Sequence, residues 1–257
     1  MSSTMRITPE PAVLGATVEG IDLRAPLAPD RLRELREALA HFEVLFFPEQ
    51  GLEPDEQVRF GRHFGALQEH ASLDALEDFP EVVVFDTAQK APVAEMWHTD
   101  VTCAPQPPMG SVLQLVIVPE RGGDTHWASM SAAYDALDDA TRARIDGLQA
   151  LHRSWWQPVQ ESVHPVVRTH PETGRRGLFV NGLFSKRIIG MPDDEGRELL
   201  KLLCDHATRE EFTVTHQWRA GDIAFWDNRS TQHRVDNDFG DARRRGHRVA
   251  IDGDVPR

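Results

Sequence analysis

The chain has 257 residues, of which 40% are apolar and 27% are charged, and its formal net charge is −13. This composition is ordinary for a folded globular protein, and the length fits one β-rich enzyme domain, so we expect a single domain over residues 1–257. The acidic balance disfavours nucleic acid and anionic membrane surfaces as partners, because both repel negative charge.

Cysteine use and hydropathy predict a location. The two cysteines, Cys103 and Cys204, lie far apart in the sequence and are predicted to be free thiols in a reducing cytosol. Residues 1–10 are polar and lack the apolar centre of a secretory signal. The longest apolar runs, such as residues 112–118, are too short to span a bilayer. We therefore expect a cytoplasmic protein.

The first half of the chain reads as short strands with two helices. Apolar positions at helical spacing predict one helix over Arg31–His41 and a second over Pro54–Phe64. Strands are predicted where short apolar runs meet turn residues. In this half they are a strand within residues 12–23, then Val44–Phe47, Val82–Phe85, Ser111–Val118 and Thr125–Ala128.

The second half continues the pattern. Helices are predicted over Ser131–Leu137, Ala140–Gly147 and Glu195–His206, and strands over Leu178–Val180, Phe212–Trp218, Ile223–Trp226 and His247–Ile251. Many short strands with few helices favour a mainly β protein with flanking helices, a β-sandwich or jelly roll, over a doubly wound sheet. No dinucleotide-binding or P-loop motif competes with this prediction.

A candidate metal site begins at His98-Thr99-Asp100. In an extended segment, residues i and i+2 project to one face, so the imidazole and the carboxylate converge. His233, which follows a predicted strand and a polar turn, is the best third ligand. Two histidines and one carboxylate leave three positions of an octahedral metal open, as in non-haem Fe(II) oxygenases. The motif alone is weak evidence for a metal site, since a surface histidine near a solvated aspartate gives the same His-x-Asp sequence.

Further motifs at compatible spacing make the pattern specific. They are residues 15–23 (GATVEGIDL), 97–100 (WHTD), 122–125 (GGDT), 178–181 (LFVN), 226–229 (WDNR) and 231–233 (TQH). With them the chain resembles the taurine dioxygenase / 2,4-dichlorophenoxyacetate dioxygenase family of 2-oxoglutarate-dependent enzymes, over nearly its whole length. The resemblance implies a double-stranded β-helix (jelly-roll) core and a homo-oligomer.

The resemblance also implies a cofactor set. His98, Asp100 and His233 would bind Fe(II), while O2 serves as a co-substrate. Thr125 and Arg244 would hold the distal carboxylate of 2-oxoglutarate, a role that suits a guanidinium because its fork grips a carboxylate with two hydrogen bonds. Three arginines run together here, so a shift of one residue would give this role to Arg243 or Arg245.

On the substrate side the resemblance points to a small anionic molecule, such as a sulfonate, a sulfate ester or a carboxylate. Arg248 stands four residues after Arg244, which places both on one face of a strand and lets Arg248 meet the anion. His70 and Phe184 match the positions of a substrate-binding histidine and an aromatic pocket wall. Sulfonate-using members tend to carry a polar amide shortly before the metal motif, whereas this chain has Val93-Ala94-Glu95.

The expected reaction is oxidative decarboxylation of 2-oxoglutarate coupled to hydroxylation, with succinate and CO2 as co-products. Desaturation, cyclisation or other tailoring in a biosynthetic pathway would use the same cofactors, and the sequence leaves this open. A halogenase is disfavoured because Asp100 retains the carboxylate that halide must replace. A silent metal-binding or sensor protein is disfavoured because it would have no use for a co-substrate clamp at Thr125 and Arg244.

Overall fold

The computed structural model describes residues 4–70, 73–89 and 94–257. Within these ranges the chain forms β1 (Arg6–Pro9), β2 (Ala16–Glu19), α1 (Pro29–Phe42), β3 (Val44–Phe47), α2 (Pro54–Arg62), β4 (Ala75–Leu76), β5 (Phe79–Asp86), β6 (Gly110–Ile117), β7 (Thr125–Ser129), α3 (Met130–Asp135) and α4 (Asp139–Ile145). It continues with β8 (Gln149–Arg153), β9 (Glu161–Pro165), β10 (Val167–Thr169), β11 (Arg176–Leu178), β12 (Ser185–Ile188), α5 (Asp193–Ala207), β13 (Thr213–His216), β14 (Ile223–Asp227), β15 (Thr231–Val235) and β16 (Arg245–Ile251). Short 3-10 turns cover Thr87–Gln89 and Glu210–Phe212.

Two mainly antiparallel sheets face each other across the centre of the molecule. The larger has the strand order β1-β2-β3-β14-β6-β16-β5-β4, in which β2–β3 is a parallel pair, and the smaller has the order β13-β7-β15. Their inner faces meet at aromatic side chains, among them Trp127 of β7 and Trp226 of β14, whose ring centroids lie 5.7 Å apart. This face-to-face packing is the arrangement expected of a jelly roll and agrees with the predicted fold class.

Helices α1 and α2 cover the outer face of the larger sheet. Leu35 and Leu39, one turn apart on α1, are buried in the same core cluster as Phe47 and Phe225 of the sheet. On α2 the buried Gln57 donates to the backbone carbonyl of Val112 (3.0 Å) and to that of His247 (2.9 Å). The amide therefore pins the helix across β6 and β16, the strands that lead into the candidate site.

The remaining strands and helices build a second core beside the smaller sheet. The three-stranded sheet β12-β8-β9 and the hairpin β10-β11 pack with α3 and α5 around buried apolar side chains that include Met130, Leu178 and Leu203. The loop over residues 154–160 joins β8 to β9 and projects toward the candidate site. This layer thus forms one wall of that site.

Most predicted elements are confirmed within two or three residues, and the differences follow from weak local patterns. Leu178–Val180 was predicted as a strand, but β11 ends at Leu178. Strand β15 was missed because Thr231–Val235 is polar, and β8, β9 and β12 were missed for the same lack of apolar alternation. Both cysteines are free, as predicted. In the described ranges no helix combines the length and apolarity that a bilayer crossing needs.

Candidate active site

The three predicted metal ligands meet between the smaller sheet and the chain segment before β6. His233 lies in β15, and His98 pairs with it through reciprocal backbone hydrogen bonds of 3.0 and 2.8 Å. Asp100 follows in a turn, where Val101 adopts a φ of +47°, an unfavourable conformation for a β-branched residue. His98 lies in an extended segment bridged to β15, and the turn begins only at Asp100, so the two side chains converge as the i, i+2 spacing predicts.

The side chains of this triad are buried and face a common space. Nε2 of His98 and Nε2 of His233 lie 3.8 and 3.9 Å from Oδ1 of Asp100, too far for hydrogen bonds. All three ligand atoms lie within 4.8 Å of one another. Nδ1 of His98 contacts the carbonyl of Met96 at 2.8 Å, so it carries the proton and leaves the Nε2 lone pair free. The donor set therefore fits a divalent transition metal.

The electrostatics of the triad favour metal binding. Burial lowers the pKa of both His98 and His233 below the usual value, which keeps the imidazoles neutral. Burial alone would raise the pKa of Asp100, but the charge of Arg248 opposes this, and the pKa lies below its ordinary value. Two neutral nitrogens and one carboxylate are the protonation states that a metal requires.

The predicted 2-oxoglutarate residues lie together at one end of the same cavity. Nη2 of Arg244 is 3.4 Å from Oγ1 of Thr125, and Nε of Arg244 donates to the carbonyl of Gly123 at 3.2 Å. Gly122 and Gly123 have φ values of +70° and +74°, which turn the chain into β7 and bring Thr125 to the cavity wall. Burial lowers the pKa of Arg244 to about 10, so the guanidinium stays charged at neutral pH.

The neighbouring arginines point elsewhere. Arg243 forms a two-pronged ion pair with Asp86, at 3.0 and 2.6 Å, and Arg245 lies 3.8 Å from the same carboxylate. Of the three, Arg244 alone lines the cavity. The structure thus brings Arg244, and not the residue before or after it, to Thr125.

Arg248 lies in the cavity wall beside the predicted metal ligand Asp100. Its Nη1 donates to Oδ1 of Asp100 at 2.6 Å, and its guanidinium carbon stands 4.9 Å from the centroid of the Phe85 ring. Its Nε is buried without a hydrogen-bond partner among the described residues. The direct contact with Asp100 was not predicted. Arg244 and Arg248 do line one cavity, as their spacing suggested.

A cavity of about 600 Å³ joins these groups. Its charged and polar walls are the residues described above, together with His70, Thr87 and Glu95. The rest is apolar or aromatic and comprises Leu73, Phe85, Ala94, Met96, Val101, Leu113, Trp155, Trp156, Leu183, Phe184, Trp226 and Val235. His70 and Phe184 thus both line the cavity. Sulfonate-using members tend to carry a polar amide where this chain has Val93-Ala94-Glu95. Of these three residues, Ala94 and Glu95 line the cavity, and Val93 lies outside the described residues.

Trp156, Phe184 and His70 form an aromatic corner of the cavity wall. The ring of Trp156 meets Phe184 edge-on at 5.8 Å and His70 at 6.1 Å. Burial, and then the charge of Arg248, lower the pKa of His70, so a neutral imidazole faces the cavity. Trp155 is 64% exposed and stands at the mouth.

Several polar residues behind the site were missed. Ser111 and Asn228 hold Asp100, and the indole of Trp218 donates to Thr125 at 2.8 Å. Asn228 belongs to a motif that the sequence singled out, but without a role. Ser111 and Trp218 carry no local signal, because their contacts bridge strands that are far apart in the chain.

Comparison with known proteins gives one answer. The family model described as "Taurine catabolism dioxygenase TauD, TfdA family" matches residues 6–250. An alkylsulfatase of Acinetobacter baylyi is 36% identical over 94% of this chain and 83% of its own length. An alpha-ketoglutarate-dependent sulfate ester dioxygenase of Pseudomonas putida is 35% identical over 95% of this chain and 88% of its own.

Solved structures agree. A crystal structure of a taurine dioxygenase from Burkholderia xenovorans superposes with a TM-score of 0.91 at 41% identity, covering 98% of this chain and 92% of that one. The structure of AAD-2 in complex with Mn(II) and N-oxalylglycine has a TM-score of 0.85 at 31% identity, covering 98% and 99% of the two chains.

Proposed function

The chain belongs to the TauD/TfdA dioxygenase family, and from that premise we propose that His98, Asp100 and His233 hold its iron. It is a 2-oxoglutarate-dependent non-haem iron dioxygenase, which uses Fe(II), 2-oxoglutarate and O2. The observation that carries the residue assignment is the buried triad, whose three ligand atoms face one space. Bound iron with 2-oxoglutarate supplies the oxidising power for C–H hydroxylation, with succinate and CO2 as co-products.

We propose that Arg244 and Thr125 bind the distal carboxylate of 2-oxoglutarate. The charged guanidinium is buried and has no carboxylate within ion-pairing distance among the described residues, so an anion at this end of the cavity would complete its pairing. Nη2 of Arg244 and the Thr125 hydroxyl lie next to each other, so both could donate to the two oxygens of one carboxylate. The co-substrate would then reach from this end of the cavity to the triad.

We propose that Arg248 receives the anionic group of the primary substrate. One Nη1 hydrogen bond fixes the guanidinium to Asp100, while the buried Nε retains a donor without a partner among the described residues. A sulfonate, sulfate ester or carboxylate offers the matching acceptors. Arg248 would thereby fix the distance between the anionic group and the metal ligands, and so decide which carbon is hydroxylated.

The rest of the cavity wall favours a substrate with an apolar body. Beyond the arginines the cavity is lined mainly by aromatic and aliphatic side chains, which gain from removing apolar surface from water. Two relatives are named as an alkylsulfatase and a 2,4-dichlorophenoxyacetate dioxygenase. The compounds in both names consist of an anionic group on an apolar body. We therefore propose an alkyl or aryl compound with one anionic group, placed with its body against Trp156 and Phe184.

The metal assignment is tested by anaerobic titration with Fe(II) and 2-oxoglutarate, followed through the visible charge-transfer band of the chelate. The wild-type protein is expected to develop the band, and His98→Ala to lose it. A band of undiminished intensity in His98→Ala would overturn the assignment. Arg243→Gln, which removes a guanidinium outside the cavity, is the matched control and should keep the band.

The substrate class is tested by succinate release with a matched panel: an alkyl sulfate, the alkyl sulfonate of equal length, an aryloxy carboxylate, a short aminosulfonate and the corresponding neutral alcohol. We expect the anions with apolar bodies to stimulate turnover most. Stimulation by the alcohol alone, or by the short aminosulfonate above all others, would contradict the proposal.

We further propose that the protein acts as one domain over residues 1–257, in the cytoplasm and as a homo-oligomer, with a small molecule and neither nucleic acid nor membrane as its partner. The net charge of −13 supports the last part. Light scattering coupled to size-exclusion chromatography, with limited proteolysis, tests the assembly and the domain count.

A further inference from the structure

The two carboxylate oxygens of Asp100 lie in different surroundings. Oδ1 faces Nε2 of both histidines, at 3.8 and 3.9 Å, and accepts the 2.6 Å hydrogen bond from Arg248. Oδ2 points away from them and accepts from the Ser111 hydroxyl at 2.9 Å and from Nδ2 of Asn228 at 3.3 Å. Only Oδ1 is therefore presented to the space that the triad encloses.

Asn228 is itself held in one orientation. Its Oδ1 accepts a 2.9 Å hydrogen bond from the indole Nε1 of Trp226, and an indole N–H can only donate. The amide nitrogen must therefore turn toward Asp100 and Ser111, whose hydroxyl lies 3.4 Å away. Ser111, Asn228 and Trp226 are all buried, so little water competes for these contacts.

Building on the proposed metal site, we infer that Ser111 and Asn228 are positioning residues that keep Asp100 a one-oxygen ligand. A carboxylate whose second oxygen is already engaged by two donors cannot swing that oxygen onto the metal without breaking both hydrogen bonds. A two-oxygen carboxylate would fill one of the three positions that the triad leaves open. Since 2-oxoglutarate needs two of them and O2 the third, the pair Ser111–Asn228 protects the binding of the co-substrate.

This role makes a prediction that a merely structural role does not. Freeing Oδ2 lets Asp100 chelate, which adds a metal bond and removes a site for the co-substrate. Metal affinity is then kept or increased, while 2-oxoglutarate affinity falls. Damage to the site as a whole would lower both together.

The test uses Mn(II) in place of iron, so that no turnover is needed. The Kd for Mn(II) is measured from the free-ion EPR signal, and the Kd for 2-oxoglutarate on the Mn(II) protein by calorimetry. The variants are Ser111→Ala, which deletes a single oxygen, and Asn228→Leu, which keeps the shape of the amide. Ser162→Ala is the matched control. The buried Ser162 hydroxyl donates to the carbonyl of Cys103 at 2.8 Å, in the loop that follows Asp100, and does not contact Asp100 itself.

We expect Ser111→Ala and Asn228→Leu to bind 2-oxoglutarate about 10-fold more weakly or worse, the scale of outer-layer effects at metal sites, with Mn(II) affinity kept or raised. Ser162→Ala should leave the ratio of the two affinities unchanged. Parallel loss of both affinities, loss of metal affinity alone, or no change in either would overturn the inference. Failure of the metal site itself would show separately, as Mn(II) binding by the wild type that His98→Ala does not reduce.

Discussion

Trp218 donates its indole N–H to the hydroxyl of Thr125 over 2.8 Å, and Nη2 of Arg244 approaches the same oxygen at 3.4 Å. Both groups are donors with no acceptor, so the Thr125 oxygen accepts from them and its own proton must point elsewhere. In the proposed clamp that proton is aimed at 2-oxoglutarate. Trp218, at 7% exposure in the core between the sheets, thus sets the direction in which Thr125 donates.

Trp218→Phe is therefore expected to weaken the clamp while keeping the aromatic core. Without the indole donor the threonine hydroxyl is free to rotate, and the KM for 2-oxoglutarate should rise about 3- to 10-fold, the value of about one hydrogen bond. The kcat at saturating 2-oxoglutarate and the KM for the primary substrate should change little. Steady-state kinetics with each substrate varied in turn measures this, and an unchanged KM for 2-oxoglutarate would argue against the orienting role.

Gly123 offers a second way to perturb the clamp. Its φ is +74°, and a Cβ built there would lie 3.2 Å from Cδ of Arg244 and 3.2 Å from a ring carbon of Phe239. Gly123→Ala should cost about 1–2 kcal/mol of stability through the left-handed backbone. It should also displace Arg244 and raise the KM for 2-oxoglutarate severalfold.

Gly147→Ala is a close control for this substitution. Gly147 has the same φ of +74°, and a Cβ there would meet nothing within 4 Å. Urea denaturation should show a fall in the free energy of unfolding for both variants because of the left-handed backbone, with a larger fall in Gly123→Ala because of its close contacts. Only Gly123→Ala should shift the KM for 2-oxoglutarate, and an equal shift in both variants would mean that the effect comes from lost stability.

The sequence predicted the ligands better than the structure that holds them. Helix α1, strand β3 and strand β14 have local apolar patterns, so their existence follows from periodicity. Strand β15, which carries His233, is polar and gains its place by pairing with β7, an interaction between distant parts of the chain. The left-handed turn at Val101 is likewise invisible locally, because nothing about valine favours a positive φ.

Arg248→Gln is expected to weaken the binding of the anionic substrate. The variant keeps a polar side chain but loses the positive charge that would pair with the anionic group, and one charge-assisted contact contributes about 1.5–3 kcal/mol. The KM for the best anionic substrate should therefore rise about 10- to 100-fold, while turnover of its neutral alcohol analogue should not fall. Arg248 also contacts Asp100, so the Mn(II) affinity of the variant must be measured alongside. If kcat/KM falls equally for the anionic and the neutral substrate, Arg248 acts through Asp100 and does not bind the substrate.

Trp156 is expected to set the preference for an apolar body. Each methylene buried against the aromatic corner contributes about 0.8 kcal/mol, or about fourfold in affinity. In a series of alkyl sulfates of increasing length, the wild-type KM should fall with each added methylene until the cavity is full. Trp156→Ala should flatten this trend, and Trp155→Ala should do so less because Trp155 is 64% exposed. A slope that Trp156→Ala leaves intact would place the substrate elsewhere in the cavity.

Asp227, at the end of β14, is expected to govern stability at low pH. It is fully buried and accepts hydrogen bonds from Nε and Nη2 of Arg229, at 2.9 and 2.6 Å, while Nε2 of His170 lies 3.0 Å from its Oδ2. Burial would raise the pKa of Asp227, but Arg229 and His170 outweigh it and hold the pKa below the ordinary 3.8. Removing one partner of a buried ion pair costs about 3–5 kcal/mol, so Asp227→Asn should destabilise the protein by that order at neutral pH.

The sign of the pH dependence follows from the lowered pKa. The native state binds fewer protons at Asp227 than the unfolded state does, so its contribution is complete above the unfolded pKa of about 3.9 and is lost as the pH falls through the folded value. The difference in unfolding free energy between the wild type and Asp227→Asn should therefore stay constant from neutral pH to about pH 5 and shrink below about pH 4. Urea denaturation across this range measures it. A difference that grows on acidification would mean that Asp227 is protonated in the native protein.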